Sequence, residues 1–307
     1  MHLKRRHTIS ADRQWFGSSL RMAALICFTL LLFFSNAIHA QVLTNSGAVI
    51  SVTEDTYVQG DTIENETGEI TNDGILNLNG NYNNAATTSG DGLYNIAGNW
   101  NNTGTYSPGN STVRLNGAGL QWVINSGTGN FRRLIIEKTG TYPSSRIGLQ
   151  TNVEVTSSLE MENGIIETDD NKLFLSSFSA ASLDHTSGYV IGKFERGINS
   201  TDNYLFPLGS SAHYNPLNLD PNLTPSNGSV LSEFLPEALD TLGMPFPDED
   251  VEVYNILRDG YWSLTANNGF NVGDFNINMD GTGFTDPNPV QEITRIVRRP
   301  SRRLMLV

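Results

Sequence analysis

Asn77-Leu78-Asn79-Gly80-Asn81-Tyr82-Asn83-Asn84 returns eighteen residues later as Asn95-Ile96-Ala97-Gly98-Asn99-Trp100-Asn101-Asn102. A phrase repeated at a period near twenty is the mark of a stacked-coil chain, in which each repeat is too small to bury its own apolar face. Around it, residues 41–120 hold fourteen Asn and twelve Gly but one basic residue, Arg114. Asn and Gly tolerate the left-handed backbone of tight turns. Between them lie short alternating runs such as Ile75-Leu76-Asn77-Leu78-Asn79 and Val113-Arg114-Leu115. Period-two alternation predicts strands with one buried face.

The spacing extends forward. Leu115, Ile135, Val155 and Leu175 stand at steps of twenty, inside the apolar runs Val113–Leu115, Leu134–Ile136, Val153–Val155 and Leu173–Leu175. Parallel stacking of these runs predicts one inward column of the four side chains, with Asn ladders between coils. Tyr82, Trp100, Tyr106 and Trp122 are expected inside the coils or at their corners. The expected fold is all-β: a parallel β-helix, or β-solenoid, over 41–195. An ordinary sandwich of evenly spaced strands is the competing reading.

The texture changes near residue 196. Only Pro108 and Pro143 fall between 41 and 200, whereas ten prolines follow from Pro207 onward. Proline cannot donate to a ladder, so regular stacking is expected to end there. Glu252–Leu257, Tyr261–Leu264 and Phe275–Met279 read as strands of a small antiparallel, β-sandwich-like domain over 196–299. Pro221–Pro247 reads as a long connection, with Leu231–Leu242 as a short helix broken by Pro236. Residues 300–307 form an irregular basic tail. Arg295, Arg298, Arg299, Arg302 and Arg303 break the acidic composition, as a cut or shifted reading frame would.

Residues 1–40 carry Lys4, Arg5, Arg6, Arg13 and Arg21, then the apolar run Met22–Phe34, then Ser35–Ala40. Charged, apolar, then small is the order of a secretory signal, and the run is too short to span a bilayer. Export predicts a mature chain of 14 basic and 31 acidic residues, net charge −17, without cysteine, since Cys27 is the only one. No disulfide then staples it, and core area and ladder hydrogen bonds must hold it. That acidity argues against nucleic acid, whose binding rests on Lys and Arg at phosphates. No transmembrane segment is expected after signal removal.

The run Gly98-Asn99-Trp100-Asn101-Asn102-Thr103-Gly104-Thr105-Tyr106, then Val113–Leu115, Phe131–Ile136 and Val153–Ile166, resembles large Bacteroidetes proteins exported by the type IX secretion system. Those proteins carry repeats of the form Gly-Asn-Trp-x-Asn-x-Gly and close with segments like Gly188–Lys193 and Tyr204–Gly209. The resemblance implies a surface-exposed, adhesin-like protein without catalytic activity. Such proteins often end in a sorting domain, which is not visible after Ile293–Arg299.

Catalytic signatures are sparse. After residue 40 only His185 and His213 remain, neither in zinc spacing, and no nucleophile elbow is present. A β-helix polysaccharide hydrolase or lyase is the alternative class. A hydrolase needs two carboxyls at a set separation, for which Asp169-Asp170 is the adjacent pair. A lyase needs a base, for which Arg114, Arg132, Arg133, Lys138 and Lys172 are candidates. For metal, Asn278, Asp280, Thr282 and Asp286 fall at offsets 1, 3, 5 and 9 of a run with Gly283 at offset 6, the start of a calcium loop. The twelfth position is Pro289, and a plain Asp-Gly turn is the competing reading. Asp61-Thr62-Ile63 and Asp240-Thr241-Leu242 resemble the O-glycosylation signal of Bacteroidetes. The expected function is structural or adhesive: binding of a glycan or a partner protein along the polar solenoid face.

Overall fold

The computed structural model describes residues 41–238, 245–248, 251–253, 257–285, 296–299 and 303–306. The proposed signal, Asp286 and Asp240–Leu242 lie outside the described residues. Residues 41–307 form one compact unit, almost wholly β.

The quoted repeat stacks on itself in register. Asn77 faces Asn95 and Leu78 faces Ile96, while Tyr82, Asn83 and Asn84 face Trp100, Asn101 and Asn102. Repeated outward in both directions, this pairing gives three parallel ladders, and so a three-sided β-solenoid. The first ladder runs through Tyr57–Gly60, Ile75–Leu78, Leu93–Ile96, Thr112–Leu115, residues 133–137, residues 158–163 and Leu183–His185. The second starts at Val42–Asn45 and passes through Tyr82–Asn84, Trp100–Asn102, Gln121–Asn125 and Ile147–Leu149. The third starts at Val49–Val52 and passes through Thr87–Ser89 and Thr105–Ser107. Where the second side turns into the third, Gly68 has φ of +95°, and a Cβ there would stand 2.3 Å from the Ala48 carbonyl of the coil above. Only glycine fits such a corner.

The column expected at steps of twenty does not form as a whole. Leu115 faces Ile136, not Ile135, and Ile135 stands in the outward register between Arg114 and Glu160. Val155 sits between Phe131 and Leu175, on another side of the solenoid. The coils lengthen along the chain, which is why a fixed period fails. Equivalent inward positions are Val58, Leu76, Tyr94, Val113, Leu134, Leu159 and Leu183, so the step grows from 18 residues to 25 and 24.

Asparagine alternates with the apolar rungs inside the coils. Asn45 Nδ2 donates to Asn65 Oδ1 at 2.9 Å, Asn65 to Asn84 at 2.7 Å, Asn84 to Asn102 at 2.8 Å and Asn102 to Asn125 at 2.9 Å. Asn45, Asn65, Asn84 and Asn102 are buried. Each also reaches a backbone carbonyl with the same Nδ2, so the amide's second donor hydrogen is satisfied as well. Beside this ladder Tyr82 stacks on Trp100 at 5.0 Å, with Tyr94, Tyr106 and Phe131 edge-on or tilted around them. The buried phenols find partners too: Tyr82 Oη with Thr88 Oγ1 at 2.7 Å, and Tyr106 Oη with Ser111 Oγ at 2.6 Å. Of the four aromatic residues singled out in the repeats, Tyr82, Trp100 and Tyr106 are core and Trp122 alone faces outward. Trp122 packs against the next coil, where a Cβ on Gly148 would come within 2.2 Å of its ring.

Parallel stacking ends at Tyr189–Ile198. One edge of this strand pairs parallel with Ile165–Leu175, and the other pairs antiparallel with Gly228–Leu235. Gly228–Leu235 continues antiparallel into Tyr261–Asn267, and that strand into the hairpin Ile296–Arg299 and Arg303–Leu306. A separate antiparallel sheet joins Tyr204–Phe206, Leu217–Pro221 and Phe275–Met279. Phe206, Leu217, Phe234 and Trp262 share one apolar core with the coils. The position 195/196 therefore falls inside a strand common to both parts. The segment read as a connection with a helix contains the strand Gly228–Leu235 instead: Val230, Ser232 and Phe234 are buried, a period of two that wins over the helix reading.

Candidate functional site

A polar concavity opens where the coils lengthen. It encloses about 260 Å³ and is lined by Asn125, Asn130, Asn152, Glu154, Lys172 and Phe174, with the backbone of Gly127 and Gly129. Strand alternation explains the lining. Val153 and Val155 point into the core, as do Leu173 and Leu175 one coil on, so Glu154 and Phe174 between them point out and face each other in register. The next position of that outward column is Glu195.

The side chains are tied to one another. Asn130 Nδ2 donates to Glu154 Oε2 at 2.9 Å, and Asn152 Oδ1 accepts from the Lys172 amide at 3.0 Å. Lys172 Nζ stands 5.3 Å from the Phe174 ring centre and ion-pairs with Glu195. Glu195 is fully buried beneath the antiparallel cap, where Ser229 donates at 2.5 Å and Asn267 at 3.2 Å. Burial pushes the Glu195 carboxyl up, but the hydrogen bonds from Lys172, Ser229 and Asn267 outweigh it and hold the group below the usual carboxylate range. The cleft thus has fixed amide, carboxylate and ammonium groups around one phenyl ring. It can hydrogen-bond a hydroxylated ligand and pack its C–H face.

Of the residues singled out from sequence, only Lys172 lines this cleft. Asp169 and Asp170 are exposed, at a break in the ladder between Glu167 and Lys172, with Asp169 at φ of +47°. Arg114 pairs with Glu137 at 3.2 Å, on the first side. Lys138 is interior: it is buried, its ammonium bonds Gln121 Oε1, and burial lowers its pKa to about 8. His213 is an exposed loop residue whose ring packs over Gly283.

The calcium-loop candidates divide. Asp280 Oδ1 accepts from the Thr282 amide at 2.9 Å and from its hydroxyl at 2.7 Å, the bonds of a plain Asx turn. The carbonyls of Asp280 and Thr282 both accept from Asn215 Nδ2. Asn278 is in the strand Phe275–Met279, opposite Asn218. Among the described residues, no three His, Cys, Asp or Glu side chains stand together as a metal-binding group. At the Asp61-Thr62-Ile63 triplet, Thr62 Oγ1 accepts from the Asn81 amide of the next coil at 3.1 Å and is half-buried.

Sequence reasoning missed Glu154, Phe174, Asn130 and Glu195. The signal for two of them was present: Val153-Glu154-Val155 and Leu173-Phe174-Leu175 are the same outward position one coil apart. Among the described residues, no helix is long and apolar enough to cross a membrane. Comparison of the chain with protein-family models, with curated proteins and with solved structures finds no match in any of the three.

Proposed function

We propose that this chain is a non-enzymatic, structural or adhesive β-solenoid of the cell exterior, and that it holds a glycan in the cleft at Glu154, Lys172 and Phe174. The observation that carries the reading is the cleft's composition: a phenyl ring ringed by fixed amides and charges, open to solvent. A pyranose offers hydroxyls at its rim and C–H groups on its faces, and this lining matches both. The charge of a mature chain starting at Gln41 and the order of residue types in 1–40 support an extracellular place.

One Asn of each repeat, Asn84 and Asn102, points inward, while Asn77, Asn83, Asn95 and Asn101 stay on the outer wall. The test is calorimetric titration with a panel of neutral and acidic oligosaccharides. Saturable binding is expected, weakened roughly ten-fold (about 1.4 kcal/mol) or more in Phe174→Ala and in Glu154→Ala. Binding unchanged by both substitutions, or cleavage of any oligosaccharide, refutes the reading.

A further inference from the structure

The two ends of the solenoid are finished differently. At the far end, the edge of Tyr189–Ile198 is covered by the antiparallel strand Gly228–Leu235. At the near end, among the described residues, Val42–Val52 pairs on one side only, with Thr62–Asn72, and Tyr57–Gly60 pairs only with Ile75–Leu78. Three inward apolar side chains of this first coil are left half open. Leu43 is 41% exposed, against 2% for Ile63 directly below it. Ile50 and Val58 are partly buried, whereas their column neighbours Ile70 and Leu76 are buried. Val49, at 75% exposed, and Val42 add apolar surface at the rim.

Exposed edges are normally blunted with Lys, Pro or inward charge. Val42–Val52 has none of these: VLTNSGAVISV is eleven residues without a charge or a proline. The strand one coil behind carries Glu64, Glu66 and Glu69. The strongly acidic chain thus presents an uncharged rung at this end, where an equally acidic body can approach closely. Its corner at Gly47 also makes the coil self-complementary. A two-fold axis through that corner lays Val42–Asn45 of one copy antiparallel to Val49–Val52 of the other, and Tyr57–Gly60 against its own equivalent.

We propose that the first coil, Val42–Gly60, is a dimer interface at which a second copy of this chain stacks end to end through antiparallel edge pairing. Its partner does for this edge what Gly228–Leu235 does for the other, and Leu43, Ile50 and Val58 of both copies become interior. Glu54, Asp55 and Asp61 flank the corners of the coil, so the association strengthens with salt.

The test is the mass of the purified full chain by size exclusion with light scattering, across a concentration series. A dimer is expected, and a monomer in the double variant Leu43→Lys, Val49→Lys. Both positions are exposed, so the variant retains its circular dichroism. A monomeric parent, a mass above the dimer, or a dimer that survives the double variant overturns the proposal. Ser46→Cys in a Cys27→Ser background provides an independent readout beside the two-fold axis. Oxidation is expected to give a covalent dimer, and failure to crosslink overturns the geometry.

Discussion

Replacing Asn84 by Ala cuts the buried amide ladder at its middle. Three hydrogen bonds are lost: from Asn65 at 2.7 Å, to Asn102 at 2.8 Å and to the Thr105 carbonyl at 3.1 Å. Asn65 Nδ2 keeps the Thr87 carbonyl, but Asn102 Oδ1 and the Thr105 carbonyl lose this donor away from water. Each bond is worth about 1 kcal/mol net, and each stranded buried group adds about 1–3 kcal/mol. At the low end of these ranges the expected loss is about 5 kcal/mol. Asn77 is the control, because it comes from the same repeat and the same residue type. It points outward, and its one side-chain bond is to the exposed Gln59. Asn77→Ala is therefore expected to lose about 0.5 kcal/mol or less. Urea denaturation followed by circular dichroism gives both midpoints. Similar midpoints for the two variants would refute the division of Asn residues into a structural column and a decorative one. Asn84→Asp sharpens the test, since it sets carboxylate oxygen against Asn102 Oδ1 and is expected to recover stability as the pH falls and the carboxyl protonates.

Lys138 gives a pH signature of opposite sense. Its folded pKa, about 8, lies below the unfolded value, so the unfolded chain binds the extra proton between about pH 8 and the ordinary lysine range. Stability from this group therefore rises as the pH is raised through that window, by about 3 kcal/mol at most, and thermal melts of Lys138→Met are expected to lack the rise. The phenols of Tyr82 and Tyr106, pushed up by burial, oppose it only once unfolded tyrosines begin to ionise above about pH 10. At the turn after Phe275–Met279, Asp280→Ala removes the two bonds to Thr282 and is expected to lower stability by about 1–2 kcal/mol. The same loss should be seen with and without added calcium. A loss that appears only when calcium is present would mean that the turn is a cation loop after all.

The solenoid was legible because its signal is local and redundant. The phrase at Asn77–Asn84 recurs, and its copies occupy the same positions of adjacent coils. The column through Leu115, Ile135, Val155 and Leu175 was misread because coil length changes at loops, where Gly, Ser and Asn carry no periodicity. One added residue moves a side chain from the inner face to the outer, as between Ile136 and Ile135. The cleft was hidden for a related reason. Glu154 and Phe174 are twenty residues apart and Glu195 twenty-one further, so they meet only once the register is known. Gly228–Leu235 was obscured by the prolines around it, although Val230, Ser232 and Phe234 keep the alternation of a strand.

The amide ladder has a direction. From Asn45 through Asn65, Asn84 and Asn102 to Asn125, every Nδ2 donates toward the C-terminal coils and every Oδ1 faces back. At the leading end Asn45 Oδ1 accepts from the Ala48 amide, and at the trailing end Asn125 Nδ2 donates to the Gly129 carbonyl. Five side-chain dipoles are thus aligned head to tail along the solenoid axis, inside a medium of low dielectric where each polarises the next. No amide in the row can turn over alone, because a single flip sets nitrogen against nitrogen on one side and oxygen against oxygen on the other. The column therefore has two collective orientations rather than five independent ones, and the backbone groups at its two ends select between them.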